Sequence, residues 1–167
     1  HRVWLDSGEI KGGYQGYANQ LLWPLCHLTL DRVDYRKAYW HAYQAMNARF
    51  AEVVLGELQT KPGFVWVHDF HLALLPGMVK ASLPKQPVAM FWHIPWPGPD
   101  AFRILPERRE VLESLLTCDL LMFQTQSFLH CFVECAKEFL GADLHADGGH
   151  LEYKGHATRV VSRPISI

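Results

Sequence analysis

The sequence has few cysteines, no excess of charge of either sign and no long apolar run. Its four cysteines form no C-x-x-C pair, which favours buried thiols over a redox or zinc motif. Its 16 Lys and Arg balance 17 Asp and Glu, so attraction to nucleic acid or to an anionic membrane is not expected. No segment approaches the roughly 20 apolar residues of a membrane span, and residues 1–12 lack the pattern of a signal peptide. These absences predict a cytoplasmic protein.

The remaining pattern is typical of one α/β domain over residues 1–167, because no repeat or linker divides it. Two helices are indicated by the apolar spacing from Trp40 to Leu58 and from Phe128 to Phe139, and a third by residues 107–116. Thr125 or Ser127 would cap the second helix and Gly141 would end it. Between the helices lie short apolar runs of strand length, namely 2–5, 64–67, 88–92, 119–124 and 158–161. Apolar strands alternating with helices predict a Rossmann-like parallel sheet with helices on both faces.

Histidine and aspartate follow two of these strands. His68, Asp69 and His71 come after the second run, and His93 comes after the third. Ligands bind at the carboxyl ends of parallel strands, so these side chains are expected to converge on one crevice. Zinc would also use such ligands, although the H-E-x-x-H spacing is missing. His68 or His71 could equally be a core histidine, whereas a carboxylate such as Asp69 is costly to bury unless it is paired or solvated.

A glycine-rich segment, residues 12–16, contains Tyr14 and is followed by Trp23. It lacks the G-x-G-x-x-G spacing and does not directly open a helix, so it is weak evidence for a phosphate cradle. Tyr14 could donate its hydroxyl to a phosphate or sugar oxygen, and Trp23 could lie against a pyranose ring. Each would more often be a packing residue when considered alone.

Five motifs in register resemble the trehalose-6-phosphate synthase family of GT-B glycosyltransferases. They begin with Tyr14 to Asn19 followed by Leu22-Trp23-Pro24, and continue with the helix that carries Trp40, Tyr43, Asn47 and Phe50. The other three are Trp66-Val67-His68-Asp69-Phe70-His71-Leu72, His93-Ile94-Pro95-Trp96-Pro97 with Phe102 to Pro106, and Asp119-Leu120 with Phe123 and Thr125. Their shared order makes the resemblance specific, and it covers nearly the whole chain.

The resemblance implies glucose transfer from a nucleotide sugar such as UDP-glucose to glucose 6-phosphate, with retention and without a metal or another cofactor. It implies that Tyr14 contacts the acceptor phosphate, Trp23 packs on the acceptor sugar and Asp69 binds acceptor hydroxyls. His93 would lie against the donor glucose, so Asp69 and His93 would be the catalytic residues, acting by positioning and charge stabilisation. The expected partners are therefore the donor and the acceptor, and the sequence is compatible with a homo-oligomer.

Departures from the family pattern leave alternatives open. Tyr17 and Trp96 replace the usual Phe, Phe70 replaces Tyr, Gln15 replaces Asn and Ser166 replaces Gly; of these, Trp96 beside His93 could reshape the donor or acceptor pocket. The family's N-terminal glycine-rich loop and its C-terminal Arg/Lys pair have no counterpart, so the chain is expected to be the N-terminal, acceptor-side half of a GT-B enzyme and inactive alone. Another acceptor such as glycerol 3-phosphate, a silent regulatory module, and a metal-dependent hydrolase using His68, His71 and His93 are the alternatives.

Overall fold

A six-stranded sheet forms the centre of the computed structural model, which describes residues 2–165. The strands follow the order β1-β2-β3-β6-β5-β4. The four strands from β1 to β6 in that order pair in parallel, while β5 and β4 pair antiparallel at one edge. The strands are β1 (Val65–His68), β2 (Val88–Trp92), β3 (Leu120–Phe123), β4 (Asp143–Leu144), β5 (His150–Tyr153) and β6 (His156–Ser162).

The parallel strands match four of the five apolar runs, and helices cover both faces of the sheet, so the predicted α/β class is confirmed. The sheet is mixed rather than wholly parallel, because β5 and β6 are joined by a tight reversal at Lys154 and Gly155. Both turn residues have positive φ angles, 51° and 77°, which is the backbone of a short hairpin turn. The apolar pattern of the sequence did not predict the strands β4 and β5.

Within residues 2–165 six α-helices accompany the sheet: α1 (Trp23–Cys26), α2 (Lys37–Thr60), α3 (Leu75–Ser82), α4 (Pro99–Phe102), α5 (Arg108–Leu115) and α6 (Gln126–Leu140). Thr125 caps α6 by accepting a hydrogen bond from the Phe128 N–H, and Gly141 ends it with a φ of 69°, as predicted from the cap residues. None of the helices in residues 2–165 is both long and apolar enough to cross a membrane.

The first apolar run, residues 2–5, is not a strand. It has no regular structure, and the Trp4 side chain is 78% exposed. The run leads instead into a helix whose first turn is fixed by a reciprocal capping box, in which Asp6 and Glu9 each accept a hydrogen bond from the other's backbone N–H at 2.8 Å. A capped helix start competes with strand formation, and this outcome corrects the prediction. Position 166, like positions 1 and 167, lies outside the described residues.

That helix contains the glycine-rich segment as a π-helix, Glu9–Leu22, which continues directly into α1. The Trp23 N–H closes it by donating to the Ala18 carbonyl, five residues earlier. Its three glycines face α2. A Cβ added at Gly12 would lie 2.5 Å from the Ala42 Cβ, and one added at Gly13 would lie 2.9 Å from the Ala42 carbonyl oxygen. A Cβ added at Gly16 would lie 2.6 Å from the Tyr39 ring. The glycines therefore serve helix packing and do not form a phosphate loop.

The four thiols lie in or near the core. Cys26, Cys118 and Cys135 are buried, as expected, whereas Cys131 is half-buried and packs against the core. Burial raises the pKa of the Cys135 thiol to about 12, and this thiol donates to the Pro97 carbonyl at 3.6 Å. Burial also raises the pKa of Cys26 and Cys118, so the three buried thiols are uncharged packing groups at neutral pH.

Gly13→Ala tests the packing role of the glycines. Alanine is the better helix former by about 1 kcal/mol, but here its methyl group would overlap the α2 backbone, so we expect a net loss of about 1–3 kcal/mol in the free energy of unfolding. Gly56→Ala on α2 is the matched control, because nothing lies within 4 Å of its added Cβ, and it should stabilise the chain. Urea unfolding measures both, and a stabilising Gly13→Ala would contradict the packing role.

Candidate functional site

The carboxyl ends of β1 and β2 bring the predicted polar residues together. The Asp69 N–H donates to the Phe91 carbonyl at 2.8 Å, which extends the pairing of the two strands by one residue. The Asp69 Oδ1 accepts from the His93 N–H at 3.2 Å, and the His68 Nδ1 lies 2.9 Å from the His93 Nε2. The expected convergence of Asp69 and His93 at one edge of the sheet is therefore observed.

Tyr14 joins this group through His71. Their rings are stacked, with centroids 4.8 Å apart and planes 15° apart. The His71 ring also contacts the Phe70 ring, with centroids 4.0 Å apart, and the Asn19 Oδ1 of the π-helix lies 3.3 Å from the His71 Nε2. We call Tyr14, His68, Asp69, His71 and His93 the strand-end cluster.

Trp23 lies apart from the strand-end cluster. Its ring, 39% exposed, stacks on His27 with centroids 3.9 Å apart. Within residues 2–165 no hydrogen bond or ring contact joins Trp23 to the cluster. Burial and, to a smaller extent, the Asp69 carboxylate raise the pKa of the Cys26 thiol on α1.

The loop that carries Asp69 and His71 is held from beneath by two buried polar residues of α2. The Tyr43 hydroxyl donates to the Phe70 carbonyl at 2.5 Å and accepts from the Ala73 N–H at 3.0 Å. The Asn47 amide donates to the His71 carbonyl at 3.2 Å, and its oxygen accepts from the Leu74 N–H at 3.2 Å. The sequence pattern places Tyr43 and Asn47 on the apolar stripe of a helix. Their role could have been suspected from an asparagine in that stripe, since a buried amide needs partners.

The backbone of Asp69 is strained. Its φ of 72° and ψ of 166° fall in a region that glycine alone occupies readily, at a cost of about 1–3 kcal/mol for other residues. The strain turns the carboxylate back toward the His93 N–H. Strained backbone of this kind concentrates at functional sites.

His71 and His93 carry little positive charge at neutral pH. Burial lowers the pKa of His93, with the Asp69 carboxylate opposing and the His68 imidazole adding to the shift. Burial also lowers the pKa of His71, again opposed by Asp69. Both rings are therefore neutral at pH 7 and can donate or accept hydrogen bonds. Residues 2–165 hold no group of three or more His, Cys, Asp or Glu side chains arranged for a metal ion.

The three aromatic departures noted in the sequence, Tyr17, Phe70 and Trp96, lie in the core. Trp96 is 2% exposed and meets the Phe132 ring edge-on, with centroids 4.9 Å apart. This burial places Trp96 in the core, and its effect on the donor or acceptor pocket stays a prediction. Tyr17 is fully buried, and its hydroxyl donates to the Glu107 carboxylate at 3.2 Å, a bond that phenylalanine could not make.

Comparison with known proteins places the whole chain in one group. The model of Glycosyltransferase family 20 matches residues 1–167. An alpha,alpha-trehalose-phosphate synthase [UDP-forming] of Zygosaccharomyces rouxii is 36% identical over 159 residues, which is 92% of this chain and 32% of that protein. A trehalose synthase complex regulatory subunit of Saccharomyces cerevisiae is 33% identical over 97% of this chain and 16% of its own length. The chain thus spans about a third, or less, of these relatives.

A solved structure agrees with the fold. An alpha,alpha-trehalose-phosphate synthase (UDP-forming) from Burkholderia xenovorans, in complex with glucose-6-phosphate, superposes with a TM-score of 0.88 and 29% identity. The match covers 96% of this chain and 36% of that one. The described residues therefore have the fold of one part of a larger glycosyltransferase.

Asp69→Gly and Asp69→Ala test the strain at this position. Both remove the carboxylate, but only glycine accepts the backbone angles without cost. We therefore expect Asp69→Gly to be more stable than Asp69→Ala by about 1–3 kcal/mol in urea unfolding. Asp143, on β4, has no positive φ, so the same two substitutions there should show the ordinary order, with the alanine variant the more stable by up to about 1 kcal/mol. Equal stability of the two Asp69 variants would argue against strain.

Proposed function

The chain belongs to glycosyltransferase family 20, and from that premise we propose that it forms the acceptor side of an enzyme making trehalose 6-phosphate. Glucose would pass from UDP-glucose to glucose 6-phosphate with retention at the anomeric carbon. The observation that carries the proposal is the strand-end cluster, in which a strained Asp69 lies between neutral His93 and the Tyr14 and His71 stack.

The acceptor is assigned to the Tyr14 and Asp69 side of the cluster. The Tyr14 ring is 45% exposed and held on one face by His71, so its hydroxyl is presented at a fixed position to donate to a phosphate oxygen. Asp69 uses one carboxylate oxygen for the His93 N–H and keeps acceptor capacity for sugar hydroxyls. Trp23 and His27 form an exposed stacked pair further along the same helix, where a pyranose face could pack.

His93 is assigned to the donor glucose. Positive charge develops at the anomeric carbon during glycosyl transfer, so a protonated imidazole beside it would be unfavourable. Burial lowers the pKa of His93, which leaves a neutral ring able to hydrogen-bond a sugar hydroxyl. In this assignment the cluster acts by orientation and by avoiding like charge, without a covalent nucleophile or metal.

A second function is favoured by one comparison. The Saccharomyces cerevisiae relative is named as a regulatory subunit of a trehalose synthase complex. A chain of similar sequence can therefore carry the name of a regulatory subunit and not that of a synthase. Under this alternative the chain would bind a sugar phosphate without supporting transfer.

Acceptor binding is tested by calorimetry of this chain with glucose 6-phosphate. Loss of a hydrogen bond to a charged group weakens binding by about 1.5–3 kcal/mol, so Asp69→Ala should lower the affinity by roughly ten- to a hundred-fold, and Tyr14→Phe should lower it less. Asp143→Ala, exposed on the far edge of the sheet, is the matched control and should bind as the unaltered chain does. Equal affinity in the Asp69 and Asp143 variants would remove Asp69 from the acceptor site.

Turnover is tested on the full reading frame. UDP release from UDP-glucose is measured with glucose 6-phosphate and with glycerol 3-phosphate in parallel. Release with glucose 6-phosphate alone supports trehalose 6-phosphate synthesis, and release with glycerol 3-phosphate alone assigns the sister activity. If the chain binds glucose 6-phosphate but no UDP is released with either acceptor, the regulatory function is the correct one.

A further inference from the structure

The His68 and His93 rings form a hydrogen-bonded pair that the proposed function leaves unused. The His68 Nδ1 and the His93 Nε2 are 2.9 Å apart, and the ring planes differ by 25°. A contact of this length between two imidazole nitrogens holds one proton, because two N–H groups facing each other would repel. One ring therefore donates, the other accepts, and the two rings cannot both be fully protonated.

Both rings are fixed by the strands that carry them. His68 ends β1, in register with Phe91 of β2, and its ring lies 4.8 Å from that of Trp66. His93 follows β2, with its ring 4.4 Å from Phe91 and its N–H bound to Asp69. Because parallel pairing sets the two strand ends side by side, the contact between the rings is a property of the sheet register.

We propose that His68 is a positioning residue that occupies the Nε2 of His93 and thereby fixes the ring orientation of His93 and presents its Nδ1 to the substrate. The structure gives the His93 Nδ1 no hydrogen-bond partner within residues 2–165, so this nitrogen is the one left for a ligand. Without His68, the His93 ring could turn and offer either nitrogen, and its tautomer would no longer be tied to a neighbour.

The charged and titratable groups next to His93 agree with this assignment. They are the Asp69 carboxylate, from the loop after β1, and the His68 imidazole at the end of β1. His71 and Tyr14 lie beyond Asp69 and stack on each other. Of these four groups, His68 is hydrogen-bonded through its side chain to the His93 ring. The effect of His68 on catalysis rests on the proposed function, whereas its effect on the orientation of the His93 ring does not.

The direct test is nitrogen NMR on this chain labelled with nitrogen-15. A scalar coupling across the hydrogen bond between the His68 Nδ1 and the His93 Nε2 is expected at neutral pH. Its absence in the unaltered chain would overturn the proposal, and this measurement requires no variant and no turnover.

Two substitutions separate positioning from packing. His68→Phe keeps a ring but removes both nitrogens, so the His93 nitrogen shifts should change to those of a tautomer mixture, and the His93 pKa should rise. His68→Asn keeps a polar atom near the position of the Nδ1 and should restore shifts close to the original. His130→Phe, an exposed site on α6, is the control and should leave His93 unchanged. Unchanged His93 shifts in His68→Phe would contradict the positioning role, and if that variant does not fold, His68→Asn and the coupling decide.

The full-length enzyme gives the catalytic readout. Misorientation of a catalytic group costs rate more than binding, so His68→Phe should lower kcat roughly tenfold or more, with the KM for glucose 6-phosphate little changed and His68→Asn recovering most of the rate. A rise in KM alone would count against the assignment. A coupling observed in a protein that releases no UDP would remove the proposed function and leave the pairing of His68 with His93 intact.

Discussion

The close contact between the π-helix and α2 is the constraint on which the candidate site depends. At Gly12, Gly13 and Gly16 the two helices approach so closely that a single added carbon would lie 2.5 to 2.9 Å from its neighbour. The same α2 holds the loop after β1 through Tyr43 and Asn47. One helix therefore sets the distance between Tyr14 on one side and His71 on the other. The ring stack that joins them follows from packing against a common support.

Much of the sheet could be predicted because its signal is local. A run such as Val88–Trp92 is apolar throughout, which is what a strand covered on both faces requires, and the strand has those bounds. The same holds for α6, where Thr125 and Gly141 act through hydrogen bonds and backbone angles within a few residues. The meeting of Asp69 and His93 was also predictable, because neighbouring parallel strands end at the same edge of the sheet.

Other features depend on partners distant in the sequence, and local patterns did not indicate them. Glycine is among the poorest helix formers, so residues 12–16 do not suggest a helix until the neighbouring face of α2 is known. The strain at Asp69 is seen only in its backbone angles. The sequence does not indicate it, because aspartate follows many strands without such strain. Trp96 shows the opposite case: its sequence neighbour His93 is at the site, yet the indole lies in the core against Trp92, Phe102 and Phe132.

The charges of the strand-end cluster indicate which part of the reaction it can serve. Loss of a nucleotide diphosphate leaves negative charge on the departing phosphate, and stabilising that charge requires cations or oriented N–H groups. Within residues 2–165 no hydrogen bond or ion pair joins Asp69, His71 or His93 to a lysine or arginine, and the two imidazoles are neutral because they are buried. A carboxylate beside neutral rings suits sugar hydroxyls and the positive anomeric carbon. In the proposed enzyme the cluster would therefore orient the two sugars, and the groups that stabilise the leaving diphosphate would have to be other residues.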